Sequence, residues 1–380
     1  MPIGEKIRTL RVSRGLTQKQ LVKGLYERSY ISLIERGKIK PTTEALSLIA
    51  SRLGVSMEEL AARDQETFDH SLLLYKQGIE TQDVSNLERA WKGFFQCGSL
   101  NNMVSCVKKW ASLVSNSEVL TALKTTLRRA QGTDINTYIK CELRVLMGNC
   151  YFNMSMLKNA VWEYEDILSD YPPESFLSRI HVNLGSAMME LADYNSAVTS
   201  FQNALKYDTE PRRAMRAYLG LGRCYRYLAH SDKALEYFKQ VNCWAKEHDE
   251  DLFYLSHHSI GVVLLDQGNV SEGISYLTKV WSYYKMKHLS LHEAEVVEEF
   301  IRADTYFKDY TRALSWCEYG LLLLGEQNKH LSGRILLWKS QIYKTLGNDE
   351  TAKNLESAAK VVLNGDFHTH QKYLNAFTLI

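Results

Sequence analysis

Four stretches of this 380-residue chain, LMGNCYFNMSMLKNAVWEY, NLGSAMMELADYNSAVTSF, GLGRCYRYLAHSDKALEYF and SIGVVLLDQGNVSEGISYL, share one template: a glycine, then a second small residue 12 positions later. The pairs are Gly148 with Ala160, Gly185 with Ala197, Gly222 with Ala234, and Gly261 with Gly273. Ala90 (with Gly78), Ala313 and Ala352 are fainter copies. From Ala160 onward the second small residue recurs at intervals of 37, 37, 39, 40 and 39 residues. A period of this length marks an array of units, each burying its apolar face only against its neighbours. The small residues predict where the two antiparallel helices of each unit cross, since larger side chains would push them apart. Roughly eight such hairpins are expected over residues 66 to 380, with only 100 to 135 fitting poorly.

The template resembles the tetratricopeptide repeat, whose aromatic positions are matched by Tyr151, Tyr225, Phe201 and Phe238. The intervals exceed the usual ~34 residues, which implies helices longer by about a turn. The resemblance implies a right-handed α-solenoid whose first helices line an inner wall. On that wall fall the positions three before, two before, one after and four after the template glycine. Asn149, Val182, Asn183, Ser186 and Met189 occupy such positions, followed by Arg223, Arg226, His258, Arg302, Trp338 and Gln341. Asn and Arg are the side chains that hold an extended peptide, through its backbone amides or its terminal carboxylate. In an empty groove Asn183 is expected to face solvent.

Ahead of the repeats the composition changes. Residues 1 to 65 carry 12 Lys/Arg against 7 Asp/Glu, whereas the remainder carries 34 against 37. A basic head on a slightly acidic body predicts a polyanion as the partner of the head. Ile7, Leu10 and Val12 space an amphipathic helix over 3–14 that Gly15 ends. Thr17 is a preferred N-cap for a second helix, with Leu21, Val22 and Leu25 facing inward and Gly24 supplying the turn. A third helix starts near Glu27, buries Ile31 and Ile34, and stops at Gly37. Two more, over 43–53 and 57–63, complete a five-helix domain. If Ile31 and Ile34 are buried, Arg28, Ser29, Ser32, Leu33 and Arg36 form an outward stripe on the third helix. Two short helices joined by a tight turn, the second presenting such a stripe, describe a helix-turn-helix with a major-groove reading helix.

The stretch LTQKQLVKGLYERSYISLIERGKIKP, with the LGVS opening of the last helix, resembles the lambda-repressor-like helix-turn-helix over about the first 62 residues. Its interval from Leu21 to Glu35 is one residue shorter than in most members, as in the PlcR-like pheromone-sensing regulators. That resemblance implies that Gln18 holds a phosphate and braces the reading helix, and that Arg28, Ser29 and Leu33 face bases. Arg28 suits guanine O6 and N7, and Leu33 a thymine methyl. Thr17, Tyr30, Lys38 and Lys40 are expected on phosphates. Glu35 is expected to pair with Arg11. Asn183 falls where the resembling PlcR, NprR and Rap-type peptide-pheromone receptors of Gram-positive bacteria carry a peptide-holding Asn.

The seven cysteines are scattered singly, with no CxxC pair, so neither a zinc site nor a disulfide framework is indicated. His257 with His258, and the HTH triplet at 368–370, are the histidines nearest to a ligand or base pattern, but HExxH, GxSxG, Walker and GxGxxG motifs do not occur. No catalysis, cofactor or metal is expected. No run of 18 apolar residues exists and charges at Glu5, Lys6 and Arg8 stand where a signal peptide needs its apolar stretch, so a cytoplasmic protein with no membrane partner is expected. The fold class expected is all-α: a helix-turn-helix domain over 1–65 and a repeat domain over 66–380 for ligand binding and dimerisation. Two functions fit it. One is a homodimeric transcription regulator that binds an operator and senses a short signalling peptide. The other is an adaptor or response-regulator antagonist that uses the repeats on a folded protein, for which the basic head would be superfluous.

Overall fold

The computed structural model describes residues 3–130, 136–207, 210–325 and 328–363, with backbone alone at 57–59 and 61–64. All regular structure among these residues is helical, and the chain divides into two compact units, 1–191 and 192–380. The histidines of the 368–370 triplet lie outside the described residues.

The first unit opens with α1 (Ile3–Ser13), α2 (Gln18–Val22), α3 (Arg28–Glu35) and α4 (Thr43–Arg52). Thr17 caps α2 through a reciprocal box: its hydroxyl accepts from the Gln20 backbone N–H, and the Gln20 side chain accepts from the Thr17 N–H. Thr42 caps α4 in the same sense, accepting from the Ala45 N–H. Ile7, Leu21, Val22, Ile31, Ile34 and Ile49 close one core. Val12, expected on the inner face of α1, is 60% exposed, because five residues after the buried Ile7 it lies about 140° round the helix. Gly4 lies so close to α3 that a Cβ there would stand 1.9 Å from the Ile34 carbonyl oxygen.

The fifth helix does not stop at Arg63: α5 runs unbroken over Met57–Glu80 and is the first helix of the first repeat hairpin, with α6 (Val84–Gln96). The boundary expected at residue 65 therefore falls inside a helix. The unit continues with α7 (Leu100–Leu113), α8 (Ser117–Ala130), α9 (Thr137–Asn153), α10 (Leu157–Ser169) and α11 (Glu174–Glu190). The stretch that fitted the template poorly is thus helical over α7 and α8, and its misfit has a steric cause. Twelve positions before the buried Ala122 stands Trp110, also buried, where the four clear copies carry glycine.

The second unit holds α12 (Tyr194–Ala204), α13 (Pro211–Tyr227), α14 (Ser231–His248), α15 (Glu250–Asp266), α16 (Val270–Met286), α17 (Ser290–Tyr306), α18 (Tyr310–Leu324), α19 (Lys329–Thr345) and α20 (Asp349–Leu363). The template glycines prove necessary for a ring as well as for a helix crossing. A Cβ on Gly148 would lie 2.4 Å from the Tyr164 ring, and one on Gly222 would lie 2.5 Å from the Phe238 ring. Where the aromatic becomes Leu277, the backbones themselves close in, and a Cβ on Gly273 would sit 2.9 Å from the Gly261 carbonyl. In the last hairpin the Ser340 hydroxyl donates to the Ala352 carbonyl at 2.8 Å. The turn inside the six template hairpins from Gly148 onward also repeats its backbone. The residue seven after the first template position is left-handed: Ser155 (φ 58), Ala192 (φ 60), Ala229 (φ 59), Gly268 (φ 79), Lys308 (φ 62) and Gly347 (φ 80).

Candidate DNA-binding and ligand-binding sites

In the head, burying Ile31 and Ile34 turns Arg28, Ser29 and Arg36 into solvent, with Tyr30, Ser32 and Leu33 partly exposed beside them. Thr17, Lys38 and Lys40 are exposed at the two ends of this surface. Behind it lies a polar chain that the sequence showed only in part. Arg11 donates to Glu35 through two nitrogens, Nε to Oε1 at 2.6 Å and Nη2 to Oε2 at 3.0 Å. These bonds raise the Arg11 pKa against the opposing pull of burial. The same Glu35 accepts from Gln18 Nε2 at 2.8 Å, and the Gln18 carbonyl oxygen faces Arg28 Nε at 3.5 Å. Gln18 is thereby oriented, its amide NH2 inward and its oxygen toward α3. Arg36 instead donates to the Ser32 hydroxyl at 2.7 Å, so these two members of the stripe are already bonded to each other.

In the first unit's repeats, Asn149 and Asn183 meet directly, on α9 and α11. Asn183 Nδ2 and the Tyr164 hydroxyl both donate to Asn149 Oδ1, at 2.8 and 2.7 Å. Asn183 is therefore bonded to protein, contrary to the expectation that it faces only solvent. The NH2 of Asn149 finds no acceptor among the described residues. The Ser186 hydroxyl donates back to the Val182 carbonyl of its own helix.

In the second unit, the expected carboxylate-binding arginines prove largely occupied. Asp266 receives Arg226 Nε at 2.6 Å from α13 and Arg302 Nη1 at 2.5 Å from α17, and Arg302 also pairs with Glu299 at 2.7 Å. Asp266 escaped the sequence reading because it stands five residues after Gly261, one beyond the wall positions that the template defines. Arg223, by contrast, makes no ion pair among the described residues. His258 shares this surface, and its Nε2 is buried without a hydrogen-bond partner. Burial, helped by Arg223, Arg226 and Arg302 and opposed by Glu299, pushes its pKa down to about 4, so the ring is neutral near pH 7. His257 points elsewhere, its Nδ1 against the Asn242 amide at 2.5 Å. Trp338, expected on the open wall, is only 2% exposed and belongs to the core of the last hairpins, while Gln341 beside it lines a cavity. No group of three or more His, Cys, Asp or Glu among the described residues is placed to hold a metal ion, and no helix there is long and apolar enough to cross a membrane.

Known proteins place both parts of the chain. Residues 7–60 match the helix-turn-helix family and residues 176–241 the tetratricopeptide repeat family. The transcriptional activator NprA of Geobacillus stearothermophilus is 24% identical over 319 residues, 79% of this chain and 77% of that protein. The immunity repressor of Bacillus phage phi105 is 34% identical over 65 residues, 17% of this chain and 45% of the repressor. In fold, the crystal structure of apo RapI is similar with a TM-score of 0.56 at 14% identity, covering 78% of this chain and 86% of RapI. The chain is a transcriptional regulator that joins a DNA-binding helix-turn-helix domain to tetratricopeptide repeats, and it resembles the PlcR, NprR and Rap type of regulator.

Proposed function

We propose that this regulator binds its operator as a cytoplasmic homodimer and that its repeats sense a short signalling peptide that alters DNA binding. The observation that carries the peptide reading is the unused polar capacity on first helices of the repeats: the Asn149 NH2 on α9, and Arg223 on α13, which lacks a counter-ion among the described residues. A peptide backbone without a sheet edge to pair with needs such side-chain partners, since a buried unpaired amide costs ~1 to 3 kcal/mol. Two heads are proposed because one buries too little surface to single out a genomic site.

The deciding experiment is fluorescence anisotropy on the chain's own upstream DNA, with and without medium from the source culture. A binding change that protease treatment of the medium abolishes supports the reading, and an unchanged curve overturns the peptide part. Sedimentation on that DNA should show two chains.

In the same assay, Arg28→Ala is expected to lose ~1 to 3 kcal/mol of specific affinity and to relax one operator position. Lys38→Ala and Lys40→Ala should weaken all DNA alike and flatten the salt slope by about one unit each. Unchanged operator preference in the Arg28 variant would remove it from the base-reading set.

For the ligand, Asn183→Ala and Arg223→Ala are each expected to weaken peptide binding by about tenfold, or about 1.4 kcal/mol. Because Asn183 is bonded to Asn149, its removal should also cost ~1 kcal/mol of stability. Calorimetry with the active peptide from the medium, beside a urea titration, separates the two effects. Wild-type affinity in both variants would place the peptide elsewhere.

A further inference from the structure

A cavity of 410 Å³ lies within the second unit, where the C-terminal ends of α15 and α17 approach α19. Its apolar lining is Leu265, Val270, Ala303, Tyr306, Tyr310 and Trp338, three of them aromatic. Charged side chains line it at Asp266, Arg302 and Lys308. The first two neutralise each other, and Arg302 has Glu299 besides. Lys308 makes no ion pair among the described residues and is exposed, on the left-handed turn between α17 and α18. Thr305 also lines the cavity, and its hydroxyl is buried without a hydrogen-bond partner.

Those features select a ligand class. Aromatic walls favour an aromatic guest through edge-to-face and offset contacts that an aliphatic group does not make. An uncompensated ammonium beside an unsatisfied hydroxyl favours an anion that can accept a hydrogen bond. The volume lies within the range of small-ligand sites, ~300 to 1,000 Å³, and exceeds what one ring fills, which leaves room for a carboxylate. We propose that this cavity binds an aromatic carboxylate, the ring against Tyr306 and Tyr310 and the carboxylate toward Lys308 and Thr305. Peptide sensing by the repeats is assumed only for the source of that group, the C-terminal residue of a peptide. A free aromatic acid carries the same chemistry.

The test is ligand-observed NMR titration of the full chain with N-acetyl-L-phenylalanine, its C-terminal amide and N-acetyl-L-leucine. The tetrapeptides Ala-Ala-Ala-Phe and Phe-Ala-Ala-Ala distinguish the two sources. N-acetyl-L-phenylalanine should bind in the millimolar range, as expected of a fragment this small, and about threefold more tightly than its amide. The leucine compound should bind more weakly than the phenylalanine one. Ala-Ala-Ala-Phe binding better than Phe-Ala-Ala-Ala identifies a peptide C-terminus, whereas N-acetyl-L-phenylalanine binding without either tetrapeptide identifies a free aromatic acid.

Lys308→Asn should erase the difference between acid and amide. Asparagine tolerates the left-handed backbone, so the turn survives the loss of charge. Ala303→Leu should fill the cavity and abolish binding, with circular dichroism confirming that the variant is folded. Equal binding of acid and amide to the wild-type chain, leucine matching phenylalanine, or no binding at all overturns the proposal. The response of the DNA complex to culture medium is independent of these outcomes, so failure here leaves the peptide reading standing.

Discussion

Arg11→Met is expected to open the head at temperatures where the repeats stay folded. Arg11 donates to both oxygens of Glu35 and, through Nη1, to the Leu16 carbonyl at 2.7 Å. The Glu35 side chain is 3% exposed, so removing the guanidinium leaves a buried carboxylate with Gln18 alone. Breaking a buried pair from one side costs ~3 to 5 kcal/mol, a large part of what stabilises a domain of this size. All seven tryptophans lie at position 91 or later, so their fluorescence will not report the change. Hydrogen exchange will: amides of α1 to α4 should lose protection by a factor of a hundred or more, roughly the 3 kcal/mol lower bound. Adding Glu35→Leu should return much of it, since a matched apolar pair avoids the stranded charge. Wild-type protection in Arg11→Met would show that the pair contributes little to the fold of the head.

The second large effect is expected at Asp266. Asp266→Ala removes the anion that Arg226 and Arg302 share, and with it the tie among α13, α15 and α17. All three side chains are mostly buried, and the loss is put at ~2 to 3 kcal/mol, below the figure for a fully buried pair because some solvent reaches them. Trp244, Trp281, Trp316 and Trp338 lie in this unit, so a urea titration followed by fluorescence should show the midpoint fall. Sodium acetate should restore part of the loss by offering the two arginines a replacement carboxylate, more than sodium chloride at equal ionic strength. A midpoint unchanged from the wild type would mean that the bridge stabilises nothing.

How far the sequence disclosed this molecule depended on the kind of constraint. Steric constraints left short, regular signatures: Gly148 twelve residues before Ala160, Ile31 three before Ile34. Each forces a residue type at a fixed spacing, and each marked its element. The end of α5 left no such mark, because nothing between Arg63 and Glu80 breaks a helix and no spacing rule requires one to stop there. Trp110 hid the α7 and α8 pair by replacing the residue on which the template depends. Polar partners were the least legible. Wall positions defined from the template named Arg226 and Arg302 but not the Asp266 between them, and named Asn183 without its bond to Asn149. Such pairings depend on which neighbouring hairpin a side chain reaches, a matter of packing between repeats rather than of periodicity within one.

The left-handed residue shared by six repeat hairpins has a consequence for how such a chain can change over time. Gly268 and Gly347 adopt that backbone without steric cost, whereas Ser155, Ala192 and Ala229 hold it at ~1 kcal/mol each. Glycine at any of these three would relieve local strain without altering a wall residue, so the array retains unspent mutational headroom, distributed one turn at a time. A lineage could therefore accept destabilising changes along a ligand-facing helix and recover the loss at a distant turn. Lys308 stands outside that arrangement: its turn is strained in the same way, but a glycine there would remove the ammonium from the cavity, which couples backbone comfort to recognition at this one hairpin.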